Sequence, residues 1–122
     1  MDIIISNRGD VPIYEQIEEQ IKSMILSGQL KEGDSLPSMR LLAKELKISL
    51  ITTKRAYEEL EREGYIQSFT GKGCFVSKIN ENSVREKLLF EIQESIEPAV
   101  LKAKSASISK DELIEIINLL YD

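Results

Sequence analysis

Histidine and tryptophan are absent from this chain, and cysteine occurs once, at position 74. Without histidine the sequence lacks the commonest general base and the commonest metal ligand. A single thiol can form neither an intrachain disulfide nor a thiolate cluster for zinc, and Cys74 reads as a small, half-buried strand residue. Apolar runs such as Ile3–Ile5 and Ile116–Ile117 are short, far below the ~20 residues a membrane helix requires. The opening Met1-Asp2-Ile3 has no basic stretch ahead of an apolar one, so nothing reads as a secretory signal and the cytoplasm is the expected location. No glycine loop shaped to cradle phosphate precedes a helix. Together these absences argue against an enzyme, and no metal or cofactor is expected.

What is there fits one small domain with a short appendage: 122 residues, 42% hydrophobic and 30% charged, a balance typical of globular proteins. The net charge of −5 runs against a nucleic-acid binder, since phosphate attraction supplies much of such affinity. Its distribution says otherwise. From Ser38 to Arg55 the chain has Arg40, Lys44, Lys47, Lys54 and Arg55 against Glu45 alone, whereas beyond Ile79 five basic residues face nine acidic ones. Positive charge is gathered in one short segment, as a nucleic-acid contact or a solvated helix face would have it.

The helical signals are regular. Pro12 stands at a first-turn position, and Ile13, Ile17, Ile21 and Ile25 recur every fourth residue until Gly28 ends the helix. A polar turn, Lys31-Glu32-Gly33-Asp34, leads through Leu36-Pro37 to Ser38, which caps a short second helix with the apolar set Leu41, Leu42, Ala43 and Leu46. A tight bend at Lys47-Ile48 follows. Ser49 then caps a third helix, with Thr53, Ala56, Tyr57 and Leu60 on one face, until Gly64 stops it. Tyr65–Phe69, the glycine turn Thr70–Gly73, and Cys74–Ser77 form a β-hairpin. Tyr57, Leu60, Tyr65 and Ile66 read as the core joining that helix to the hairpin, and Tyr14 reads as core as well.

After a polar linker at Asn80–Asn82, Ser83 and Glu86 carry a capping-box signature ahead of Leu88, Leu89, Ile92 and Ile96. Pro98 predicts a kink or a fresh helix start. Ser109 with Glu112 repeats the signature before Leu113, Ile116, Ile117 and Leu120. The expected architecture is mainly α with one small hairpin: a winged helix-turn-helix over residues 1–78, followed by a short helical tail over 79–122. In such motifs the second helix of the pair enters the major groove of DNA. Lys54 and Arg55 project from its first turns, Arg40 from the start of the preceding helix and Lys72 from the hairpin tip.

The run from Pro12 to Val76, with PIYEQI, LPSMRLLA, TTKRAYEELEREGYI and GKGCFV in that order, resembles the N-terminal domain of GntR-family transcription regulators. The short tail resembles the YtrA-like subfamily, in which it pairs two subunits. The resemblance implies phosphate and base contacts from Ser38, Arg40, Ser49, Thr52 and Lys54, and a wing contact from Gly71, Lys72 and Gly73. Many members place arginine where this chain has Leu50. Leu50 and Ile51 then either meet thymine methyl groups or pack back into the domain. The tail residues Leu88, Leu89, Ile92, Ile96, Leu113, Ile117 and Leu120 could close a private mini-core or a subunit interface, and two helices this short favour the interface.

These readings make the chain a homodimeric DNA-binding regulator, a repressor by resemblance, on an inverted-repeat operator in double-stranded DNA. The alternative is a winged-helix module that binds protein. Forty residues in two helices leave room for a small-molecule effector only across a dimer interface.

Overall fold

The computed structural model describes residues 1–7, 9–79 and 81–122, and these divide into two compact units, Met1–Ile79 and Asn80–Asp122. The first unit holds α1 (Ile13–Leu26), α2 (Met39–Leu46), α3 (Leu50–Arg62), β1 (Ile66–Phe69) and β2 (Gly73–Val76). The second holds α4 (Glu81–Ser105) and α5 (Lys110–Tyr121).

The four-residue isoleucine period works as expected in α1. Ile17 and Ile21 are fully buried, while Ile13 and Ile25 pack at the edges of the core. That stripe meets Ala56, Tyr57 and Leu60 of α3, and Leu36, Leu42, Tyr65 and Ile66 complete the cluster. Leu41, expected in the apolar set of α2, is instead nearly half exposed. On a two-turn helix, Leu42 and Leu46 reach the core one turn apart, and their neighbour Leu41 points away.

The bend between α2 and α3 has a defined geometry. Lys47 takes the left-handed conformation at φ 57°. Its N–H bonds the Lys44 carbonyl, and the Ile48 N–H bonds the Ala43 carbonyl at 3.0 Å. This is a Schellman ending, with half-buried Ile48 supplying its apolar contact. The same pair of bonds ends α3 around Gly64 and α4 around Ser107. Lysine and serine accept a backbone that glycine usually takes, at a cost of roughly 1–2 kcal/mol each.

The hairpin pairs Ile66 with Val76 and Phe69 with Gly73, antiparallel. Phe69 and Phe75 rest against each other at 5.9 Å between ring centres, a tilted pair that supports the hairpin. A third segment joins the sheet. Ser35 bridges Phe75, the Leu36 N–H bonds the Cys74 carbonyl, and the Val76 N–H bonds the Asp34 carbonyl, both at 2.9 Å. The end of the expected polar turn is thus sheet-paired and ties the entry to α2 to the wing. Cys74 is half-buried in β2.

Two glutamines of α1 hold an extended segment before it. The Ile4 N–H and C=O bond the Gln20 amide at 2.9 and 2.7 Å, and those of Ser6 bond the Gln16 amide at 2.8 Å each. Side chains four apart on a helix match backbone groups two apart on an extended chain. Ile3 and Ile5 thereby pack on the core while Ile4 faces solvent.

In the second unit Ser109 and Glu112 form the expected capping box: the Glu112 N–H donates to Ser109 Oγ at 3.2 Å and the Ser109 N–H to Glu112 Oε2 at 3.0 Å. Helix α4 begins earlier than its expected cap and, of the two alternatives at Pro98, does not take the fresh start. Ser83 lies inside the helix, which already includes Glu81 and Asn82; Asn80 of the expected linker lies outside the described residues. No new helix starts at Pro98, and α4 runs through it for 25 residues in all. Proline removes one helical hydrogen bond, but the flanking glutamate, alanine, leucine and lysine residues are good helix formers that continue the helix past it.

Candidate nucleic-acid interface

Each helix of the pair opens on a serine that the chain uses as a cap. Ser38 Oγ accepts from the Leu41 N–H at 3.0 Å, and Ser49 Oγ accepts from the Thr52 N–H at 3.2 Å. Ser49 also shares a 2.8 Å hydrogen bond with Thr52 Oγ1. Capping satisfies orphan donors of the first turn and fixes where each helix begins. Arg40 and Lys54 are therefore displayed from first turns of set orientation.

Tyr57 locks the two helices together. Its ring is buried in α3, and its hydroxyl donates to the Pro37 carbonyl at 2.8 Å, one residue before the cap of α2. Burial above all, with Cys74 and Glu45 adding to it, holds the Tyr57 phenol well above its ordinary range, so it stays a proton donor.

On the other flank α1 is tied to α3 by charge. Lys22 Nζ meets Glu63 Oε2 at 2.6 Å and lies 5.4 Å from the centre of the Tyr65 ring. Burial alone would lower the Lys22 value, but the hydrogen bond and charge of Glu63 more than reverse it, and the net shift is upward. Glu18 is 8% exposed, and its Oε1 meets no hydrogen-bond partner among the described residues. Burial raises its carboxyl, partly offset by Lys22 and reinforced by Glu63, Glu59 and Glu15.

The outward side of the first two turns of α3 is cationic with an apolar tip. Ile51 is 79% exposed and Leu50 38%, so neither packs into the core. Thr52 is half-buried, Thr53 fully buried. Lys54 is largely exposed and lies 3.8 Å from Glu58, a loose surface pair that holds the lysine weakly. Arg55 behaves differently: its guanidinium carbon sits 3.9 Å from the centre of the Tyr14 ring on α1. Tyr14 is half-buried at the rim of the core rather than within it.

At the wing tip the Lys72 N–H bonds the Phe69 carbonyl at 2.9 Å, closing a turn in which Gly71 takes φ 76° and Gly73 follows at φ 98°. Both values favour glycine. Exposed Lys72 is carried between them.

Sequence-predicted site residues thus fall on the start of α2, the first two turns of α3 and the hairpin tip. The tail residues fall on α4 and α5. Sequence reasoning missed the Tyr14 platform and the Tyr57–Pro37 bond, both joining residues distant in sequence with no local signal. Among the described residues no cluster of His, Cys, Asp or Glu could hold a metal ion, and no helix is long and apolar enough to cross a membrane.

A three-helix core with a tight α2–α3 bend and a glycine-tipped hairpin defines a winged helix-turn-helix. The sequence pattern of the gntR family of bacterial regulatory proteins matches residues 13–76. A curated relative, the HTH-type transcriptional repressor YtrA of Bacillus subtilis, is 37% identical over 93% of this chain and 87% of its own length. The chain belongs to the GntR family. Among solved structures, a transcriptional antiterminator from Listeria monocytogenes is similar over 100% of this chain and 91% of its own, with TM-score 0.79 and 27% identity. The DNA-binding domain of AraR, solved in complex with operator ORX1, matches 63% of this chain and 96% of its own, with TM-score 0.56 and 25% identity.

Proposed function

We propose that the chain is a sequence-specific DNA-binding transcriptional repressor acting as a homodimer on an inverted-repeat operator. The observation that carries this reading is the capped start of α3, which holds Ile51 and Lys54 out in solvent. An isoleucine left 79% exposed next to a lysine suits apolar and charged contacts in the major groove. Ser38, Ser49 and Thr52 supply hydroxyls to phosphates, Arg40 and Lys54 supply charge, and Leu50 and Ile51 supply apolar contact to thymine methyls. The AraR domain, of the same fold, is solved on its operator, and the YtrA relative is a repressor by name.

Homodimerisation is supported by the second unit. Among the described residues of its two helices only Ala103 is buried, while Leu89, Ile92, Ile96, Ile117 and Leu120 are 43–80% exposed and Leu88 and Leu113 half-buried. Apolar surface of this extent marks an association surface. Two copies joined by α4 and α5 would present two recognition helices to half-sites about one helical turn apart. Two helices of this length are too few to enclose a small-molecule pocket within one subunit, so any effector would need a groove across that joint.

The test is fluorescence anisotropy on a duplex from the promoter of the chain's own gene. Arg40→Ala and Lys54→Ala are expected to weaken binding several-fold each and to flatten its salt dependence. Unchanged isotherms for both variants would remove these residues from the interface. Exposed Ile51 also suits a protein-binding module, and that reading is favoured if the wild type leaves the duplex free.

A further inference from the structure

We infer that Tyr14 and Arg55 form a preset clamp for a DNA backbone phosphate, extending the contact surface from α3 to the start of α1. The inference rests on the DNA-binding reading and adds to it a platform residue and a division of labour along the helix.

Arg55 lies four residues after Ile51, hence on the same side of α3 and one turn farther from its start. Bases are read by the first residues of such a helix, while its flank and the neighbouring elements meet phosphates. Arg55 occupies the flank nearest α1, where its guanidinium rests over the Tyr14 ring. A guanidinium is flat and weakly hydrated on its face, so stacking leaves its in-plane N–H groups free to meet a phosphate oxygen. The stack also removes beforehand much of the rotamer freedom that an unrestrained arginine would lose on binding.

The surrounding charges keep Arg55 available. Among the described residues no carboxylate forms an ion pair with it. Glu59, one turn on and the natural helical partner, is hydrogen-bonded by Arg62 through Nε at 3.1 Å and feels Arg55 only as a weaker charge attraction. The adjacent Lys54 faces Glu58. Tyr14 in turn packs against the core and its hydroxyl donates to Glu15 Oε1 at 3.3 Å, so the platform is fixed.

The experiment measures binding of the full chain to two duplexes, its own promoter segment and an unrelated sequence of equal length, across a salt series. Arg55→Gln is expected to weaken both about fivefold and to lower the slope of log affinity against log salt by about 0.9 for each chain bound, the signature of a lost phosphate contact. Tyr14→Phe, which keeps the ring, is expected to bind like the wild type. Tyr14→Leu, which keeps the apolar packing, is expected to weaken both about twofold to threefold, and no further once Arg55 is glutamine. Unchanged affinity and slope for Arg55→Gln would overturn the clamp. So would a loss confined to the promoter duplex, which marks a base contact, or a Tyr14→Leu effect that adds fully to that of Arg55→Gln, which marks a structural role. If the wild type binds neither duplex, the DNA-binding reading itself falls and takes the clamp with it.

Discussion

Replacing Tyr57 by phenylalanine removes one oxygen and tests how α2 and α3 are joined. The ring remains in the core, so no cavity larger than a hydroxyl forms. What is lost is the 2.8 Å hydrogen bond to the Pro37 carbonyl, and that carbonyl is left without its partner in a half-buried setting. A neutral hydrogen bond contributes about 1 kcal/mol net, and a stranded buried acceptor costs about 1–3 kcal/mol. With Pro37 only half-buried, we expect a loss of about 1.5 kcal/mol, from the lower part of that range. For a unit of this size that lowers the melting temperature by roughly 6–12 °C. With a urea m-value of about 1.5 kcal/mol per molar, it moves the midpoint by about 1 M. Urea unfolding followed by far-UV circular dichroism at fixed chain concentration measures it. A midpoint shift below about 0.2 M would show that the bond is not what fixes the pair.

Glu18 carries a pH prediction. Its carboxyl is raised above the ordinary value of 4.5, chiefly by burial, so the folded state holds that proton more tightly than the unfolded chain. The group favours folding below about pH 4.5 and opposes it once pH rises through the raised value. Glu18→Gln should therefore melt higher than the wild type at pH 7, with the gap closing toward pH 4; a lower melting temperature at pH 7 would mean that Lys22 needs the charge. Leu120→Glu and Ile117→Glu should halve the mass seen by sedimentation at micromolar concentration while the helical signal of the first unit persists. Dimers of unchanged affinity would place the subunit joint elsewhere.

Much of the fold is legible in the sequence because its signals are local. The isoleucine period, the serines at 38, 49 and 109 and the glycine turn mark elements within a residue or two of where they stand. The Ser35–Phe75 bridge is not legible, since a single paired residue has no period. The start of α4 is not legible, because the capping signature at Ser83 looks like a boundary, and at Pro98 the sequence leaves a kink or a fresh start open while the strong helix formers around it carry one helix through to Ser105. At Leu50 and Ile51 hydrophobicity pulled inward and helical phase outward; phase prevailed, and both side chains stand at the surface. The position of Arg55 was legible but its engagement with Tyr14 was not, because the two lie on different helices.

A hydroxyl-radical footprint of the wild-type chain on its own promoter tests the central claim most directly. The account predicts two protected patches on one face of the duplex, about 10 base pairs apart, fading as salt rises. A promoter left unprotected at low salt, or a single patch with one chain bound, would contradict it.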